Sequence, residues 1–359
     1  MPIPFIETTK FIYSASSIKT FQNCPLQFYY HKIKRPKPKV PTLLEFVRGK
    51  LLHAMTEKFY KDDGTPKYKS AEAFANTGAG NWKRIISQGE YGGQRIEFKK
   101  IKGKASKSLG YAKEKEVREI CTQIYKLYSA SEPPLEKELR IPFAFISESK
   151  IYMILAILDE VRRGLIIRDH KSDYFMPEEG STSLKHDIQF TTYAAALSFK
   201  CSRETEFARR IGVSEEDIAQ LANDPLHIMD KIKTEHHHMR TGTMTPTYRT
   251  KGDLEEVIDD IDEIEHFTAT LDPNTLRDLI VNCSWGKKCD RCIYKKFHEA
   301  DYEKEKTMGP GYQPILLGVV PQKPTLNLDH LKQLKFRRRR SGGISFLDLP
   351  KDIAEVSHK

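Results

Sequence analysis

The sequence predicts an α+β fold, with a short mixed sheet carried between helical parts. Apolar residues recur at helical spacing both before and after the pair Pro133-Pro134. Between the helical parts lie three short β-branched and aromatic runs, "LRIPFAFI", "KIYMILAIL" and "GLIIRD". No internal repeat competes with that layout.

Taken in order, Ile18, Phe21, Phe28 and Tyr29 fall at roughly helical spacing behind a hydroxyl-rich start that supplies N-caps. Pro36, Pro38 and Pro41 then break the chain into a linker. A clearer helix covers about 43–60, with Leu44, Val47, Leu51, Met55 and Phe59 on one face. Residues 61–110, rich in Gly, Lys and Ser, read as irregular structure or a mobile insertion, and a further helix covers about 112–129. The three apolar runs read as consecutive strands of a mixed or antiparallel sheet. "DIQFTTYAAALSFK" returns to helix, and 203–281 reads as mostly helical with polar breaks. The triplet His236–His238 lies among polar residues there and reads as a solvated loop rather than a metal site. From Pro310 the chain turns Pro/Gly-rich and then carries the run Arg337–Arg340, either a solvated tail or an arm that tracks DNA.

The 359 residues suit one large domain with extensions or two modest ones, and 39% hydrophobic against 30% charged residues implies a packed core under a wet surface. No apolar run reaches the roughly 18 residues of a membrane span, so no membrane partner is expected. "MPIPFIETTK" has neither signal-peptide nor transit-peptide layout, and six cysteines in this length make no disulfide framework. The expectation is a cytoplasmic, reducing setting. Lys plus Arg exceed Asp plus Glu by 59 to 49, a net charge of +10, which favours a polyanionic partner such as nucleic acid.

The chemistry gathers at the second and third strands. A turn at Arg162-Arg163-Gly164 makes them a hairpin centred near position 163. In that register Asp159 faces Ile167, and Asp169 is its diagonal neighbour on the same face, roughly 7–8 Å away. Lys171 follows at period two and shares that face. Two carboxylates can hold Mg2+ or Mn2+, the metal activates water and polarises a phosphoryl group, and the lysine neutralises charge developing in the transition state. An ordinary solvated strand end is the alternative. In "GKLLH", Gly49 lets its helix approach a sheet closely, so that His53 reaches the same metal instead of lying on a solvated face. Gln189 and Tyr193, four apart on the following helix, either hold phosphates and order the lysine or are a surface amide and a core tyrosine.

In this order the pieces resemble the PD-(D/E)xK nuclease superfamily, specifically its RecB-like branch, which includes CRISPR-associated RecB-like exonucleases and AddB-type nuclease domains. The matching signatures are "SASSIKTFQNCPLQFYY", "GKLLH", "LDE" followed by "IIRDHKS", "QFTTYAAAL" and "CSWGKKCDRCIYKKFH", across about residues 14–298. The resemblance implies a restriction-endonuclease-like core at about 134–200 with helical flanks at 14–130 and 201–300, and the composition of 301–359 reads as a basic, partly disordered tail. The resemblance makes His53, Asp159 and Asp169 metal ligands, joined by the backbone carbonyl of His170. Lys171 becomes the catalytic lysine, and Gln189 and Tyr193 the DNA-binding Q-motif. Glu138 stands where such proteins often carry an acid, and Ala156 stands where they often carry glycine.

The resemblance further implies a [4Fe–4S] cluster on Cys24, Cys283, Cys289 and Cys292, stapling the two helical flanks. His298 occupies the position where the branch usually has its last cysteine, and is an alternative fourth ligand. Cys283, Cys289, Cys292 and His298 could instead hold Zn2+, or the thiols could simply be buried. Cys121 and Cys201 fit no metal pattern and read as small core residues. The implied function is a metal-dependent DNA exonuclease of recombination, repair or replication, acting on single-stranded DNA or free ends beside a helicase or recombination protein. A non-catalytic DNA-binding or assembly factor with the same fold, and an RNA-directed nuclease, are the competing readings.

Overall fold

The apolar runs of residues 136–171 do become three consecutive strands of one sheet. The computed structural model describes residues 7–36, 42–98, 100–101, 104–105, 107–147, 150–172, 184, 186–281, 289, 292–308 and 345–347. The expectations for Cys283 and for Arg337–Arg340 lie outside those residues. The sheet strands are β1 (Glu7–Tyr13), β2 (Glu136–Ser147), β3 (Lys150–Arg162), β4 (Ile166–Lys171), β5 (Lys233–His238), β6 (Thr243–Thr247) and β7 (Ser345–Leu347). The longer helices up to the central strands are α1 (Ala15–Asn23), α2 (Leu44–Glu57), α3 (Ala71–Gln88) and α4 (Glu114–Ser129). After them come α5 (Ile188–Arg203), α6 (Lys251–Thr270), α7 (Pro273–Val281) and α8 (Lys295–Met308).

The strands lie in the order β6-β5-β4-β3-β2-β7, with β1 pairing β3 off that path. β2 and β3 form a long antiparallel hairpin from Glu136 opposite Val161 to Ser147 opposite Lys150. The other edge of β3 is shared. β1 runs parallel to it as far as Tyr13 opposite Ile154, and β4 runs antiparallel from Arg162 opposite Ile166 to Glu160 opposite Arg168. The two strands therefore point at each other along β3, and both leave near its stretch 155–159.

The β3–β4 turn is wider than the sequence suggests. Gly164 and Leu165 both take positive φ, +78° and +59°, and Arg162 pairs with Ile166 across three turn residues. The hairpin is thus centred on Gly164 rather than on 163, and every pairing shifts by two. A shift of two preserves the side-chain parity, where a shift of one would have reversed it.

Around this sheet the apolar residues form three clusters. The largest packs α1, α5 and α6 on the strands through residues such as Ile18, Ile154, Ile167, Phe190, Leu197 and Ile261. A second joins α2, α3 and α4 through Val47, Met55, Phe74, Trp82 and Ile120. A third ties the N-terminal part to α7 and α8 through Leu26, Tyr30, Leu276, Ile280 and Tyr294.

Two expectations need correcting. Part of the supposed irregular stretch is the 18-residue helix α3, capped by the Ser70 hydroxyl on the Ala73 amide. Gly78 is a contact residue: a Cβ there would come within 2.5 Å of the Cys121 sulfur on α4, so the small residue permits a close helix pair. The triplet His236–His238 belongs to β5, a buried strand parallel to β4, rather than to a solvated loop. Three polar-looking residues hide a strand because they are buried: the His237 ring meets His170 on β4, the His236 ring packs on Phe190 of α5, and His238 Nδ1 lies 2.9 Å from Thr241 Oγ1. Among the described residues, no helix is long and apolar enough to cross a membrane.

Candidate active site

Continuing the β3–β4 register one step beyond Glu160 and Arg168 places Asp159 opposite Asp169, closer than the diagonal relation expected from the sequence. Here the ladder ends, and Asp159 Oδ2 accepts the His170 backbone N–H at 2.8 Å. On the other side of β3, the pairs Lys137–Glu160 and Leu139–Leu158 bracket Glu138 and set it opposite Asp159. Glu138 has φ +47°, a left-handed conformation costly for a residue with a Cβ. Helix α2 closes the group. A Cβ on Gly49 would stand 3.0 Å from Ser172 Oγ, just past β4, so the glycine does allow the close approach read from "GKLLH". His53 Nδ1 lies 3.7 Å from Asp159 Oδ2. Ligand atoms of His53, Glu138 and Asp159 all lie within 4.8 Å of one another.

Beside them, Lys171 Nζ lies 2.6 Å from Asp169 Oδ2 and donates to Gln189 Oε1 at 3.0 Å. Gln189 Nε2 donates to Asp169 Oδ1 at 2.8 Å and to the Tyr193 hydroxyl at 2.6 Å. The helix carrying both residues is anchored at its first turn, where Asp187 accepts the Gln189 amide at 2.8 Å and pairs with Lys19 at 2.9 Å. One amide thus spans carboxylate, ammonium and phenol, and its orientation is fixed by all three.

The electrostatics suit a cation. Burial, then the facing Asp169 carboxylate, pushes Asp159 up to about 7. Burial, then His170, pulls His53 down to about 4, so its imidazole is neutral and has a lone pair to offer. For Lys171 burial works against the charge, but Asp169 outweighs it and the pKa is raised. Asp169 Oδ2 is buried and meets the Lys171 ammonium as an ion pair. Crowded carboxylate oxygens plus one neutral imidazole are a donor set that fits Mg2+ or Mn2+.

The chain matches the PD-(D/E)XK nuclease superfamily over residues 12–297. It belongs to that superfamily. No curated protein matches the chain. Membership in the PD-(D/E)XK superfamily makes nucleic acid the substrate class, phosphodiester hydrolysis the reaction and a divalent metal such as Mg2+ or Mn2+ the cofactor.

Sequence reasoning brought His53, Asp159, Asp169, His170, Lys171, Gln189 and Tyr193 to one place, and the structure places all of them there. It missed Glu57, whose carboxyl hydrogen-bonds Glu138; burial, then Glu57, raises the Glu138 pKa. The spacing His53-x-x-x-Glu57 puts both on one helix face and was a usable signal. It also missed the polar group behind the site. His170 Nε2 lies 3.0 Å from the Tyr128 hydroxyl and 3.3 Å from Glu160 Oε1, and its Nδ1 lies 2.8 Å from His237 Nδ1. Tyr128 also bonds Glu160, whose other oxygen accepts from Arg162 Nε at 2.9 Å. No local pattern announces these partners, which come from α4, β3, β4 and β5.

The cysteines divide. Cys121 and Cys201 are buried, and burial pushes both thiols up to about 12, in keeping with core residues. Cys24 and Cys292 both pack on the third apolar cluster, and Cys24 Sγ accepts the Gln27 amide at 3.4 Å, capping the short helix Pro25–Phe28. Burial, then the neighbouring Cys24 and Cys289, raises the Cys292 thiol pKa. Cys24, Cys289 and Cys292 do not converge as tightly as His53, Glu138 and Asp159 do. His298 Nε2 sits 3.1 Å from the Ile280 carbonyl, so that nitrogen carries a proton and donates there instead of offering a lone pair.

Proposed function

We propose that this protein is a Mg2+- or Mn2+-dependent deoxyribonuclease of the RecB-like branch, digesting DNA exonucleolytically from single-stranded or resected ends. Its setting is recombination, repair or replication, beside a helicase or recombination protein. The observation that carries the reading is the facing pair Asp159 and Asp169, with Lys171 held between Asp169 and Gln189. The net charge of +10 favours the phosphate backbone as ligand.

In this reading Asp159, Asp169, His53 and the His170 carbonyl hold the metal, with Glu138 beside them. When bound, the metal lowers the pKa of its water and polarises the phosphoryl oxygen. The protein's own part is orientation. Gln189 fixes Lys171, whose ammonium faces the charge that develops on the phosphorus-bound oxygens. Tyr193, receiving a hydrogen bond from Gln189, sets the amide so that its oxygen turns to the lysine. Asp159 has to be ionised to bind metal, so a proton and the metal compete for it. The Mg2+ concentration giving half-maximal rate should therefore fall as pH rises from about 6 to 8, read from initial rates at fixed DNA.

The same proposal places a [4Fe–4S] cluster on Cys24, Cys283, Cys289 and Cys292. Its support is the third apolar cluster, which joins both ends of the nuclease region at Cys24 and Cys292. Tyr30 strengthens that junction, stacking on Tyr294 at 5.8 Å and donating to Asp301 at 2.7 Å. Anaerobically purified protein should contain iron and sulfide, and should degrade linear single-stranded DNA with Mg2+ or Mn2+ but not with EDTA. Circular DNA and RNA should survive. Zinc without iron or sulfide removes the cluster, digestion of circles removes the exonuclease mode, and digestion of RNA alone transfers the site to RNA.

A further inference from the structure

Helix α2 delivers His53 to the metal group, and the same face of that helix continues away from it in the open. Phe46 precedes His53 by seven residues, which on an α-helix is an angular offset of only about 20° and a rise of about 10.5 Å. Phe46 is 63% exposed and, among the described residues, makes no ring contact. Lys50 lies between them on the same face and is exposed too. On the opposite side the helix is conventional, with Val47, Leu51, Leu52 and Met55 buried in the second cluster.

Single exposed hydrophobic residues are ordinary and need no explanation. Phe46 differs in its alignment. A phosphodiester held at His53 and Asp159 forces the adjoining nucleotides across neighbouring surface, and this helix face begins at His53 itself. We propose that Phe46 is a stacking platform for an unpaired base next to the cleaved phosphate, with Lys50 on the intervening backbone. Aromatic faces bind any base, and a base inside a duplex has both its faces covered. The surface therefore selects single-stranded nucleic acid. This rests on the nuclease reading and narrows its substrate to an unpaired strand.

The test is anisotropy of a labelled single-stranded oligonucleotide in Ca2+, which supports binding without requiring turnover, together with hydrolysis in Mg2+. Phe46→Ala should weaken binding and raise KM at least about fivefold while leaving kcat at saturation close to wild type. Phe46→Trp should restore both. An abasic residue placed next to the cleaved phosphate should cost the wild type the same factor and cost Phe46→Ala nothing further. Unchanged binding and KM in Phe46→Ala, or an abasic penalty that persists in that variant, overturns the platform even if the enzyme digests DNA normally. Loss of the binding effect and loss of nuclease activity are thus read separately. Binding that depends on Phe46 in a protein without hydrolysis would keep the platform and remove the nuclease reading.

Discussion

Lys171→Ala should lower the rate of DNA hydrolysis by about 10²–10³-fold while DNA binding persists. That magnitude is what the loss of one preorganised charged donor at a developing oxyanion costs. Lys171→Arg should not restore it, because a planar guanidinium cannot occupy the point between Asp169 Oδ2 and Gln189 Oε1 that the ammonium fills. The metal response separates the lysine's role from its neighbour's. Lys171 shares a carboxylate with the metal in the proposed mechanism, so its removal frees Asp169 and should leave the Mg2+ requirement unchanged or lower. Asp169→Asn removes a ligand and should raise that requirement along with the loss of rate. Mg2+ titrations of the two variants at saturating DNA measure this. Normal turnover in Lys171→Ala, or equal upward shifts in Mg2+ requirement, would show that the lysine does not act on the reacting phosphate.

What was legible in the sequence follows from which relations are local. The carboxylates and the lysine were readable because parity along a strand is a period of two, and even a turn of the wrong length left them on one face. The turn itself was misjudged because Leu165, an apolar residue, takes a positive φ that sequence patterns assign to Gly or Asn. The His53 approach was readable because Gly49 sits one turn away on the same helix. By contrast, α3 reads as irregular chain because its region is rich in Gly, Lys and Ser, and the contact that uses Gly78, with Cys121 on α4, lies 43 residues downstream. The histidines of β5 looked solvated for the same reason. The burial of His237 depends on His170 and Tyr128 and that of His236 on Phe190, and distant partners leave no trace in local composition.

That hidden group has a consequence for stability. Glu160 sits at its centre, bonded to Tyr128 and Arg162 and close to His170. Burial alone would raise its pKa, but His170 and Arg162 outweigh that and hold it well below the usual glutamate range. His170 is affected the opposite way: burial lowers its pKa, and Glu160 more than compensates. Glu160→Ala leaves a buried guanidinium and a buried imidazole without their carboxylate, and should destabilise the fold by about 3–5 kcal/mol in urea unfolding. Tyr128→Phe removes one donor from a carboxylate that keeps its others, so the loss should be nearer 1 kcal/mol. The pH dependence has a definite sign. Since the folded pKa is depressed, the carboxylate's contribution is complete above the unfolded glutamate value of about 4.3 and disappears as pH falls through the folded one. The wild type's advantage over Glu160→Gln should therefore grow as pH falls through the unfolded histidine value of about 6.5, because Glu160 favours the charged form of His170, and shrink in strong acid. Equal stability of the two at neutral pH would mean that the charge is not what the group requires. The network touches the active site through His170. His170 turns its ring to Glu160 and gives its amide to Asp159, so disturbing the first also displaces the carboxylate proposed to hold the metal.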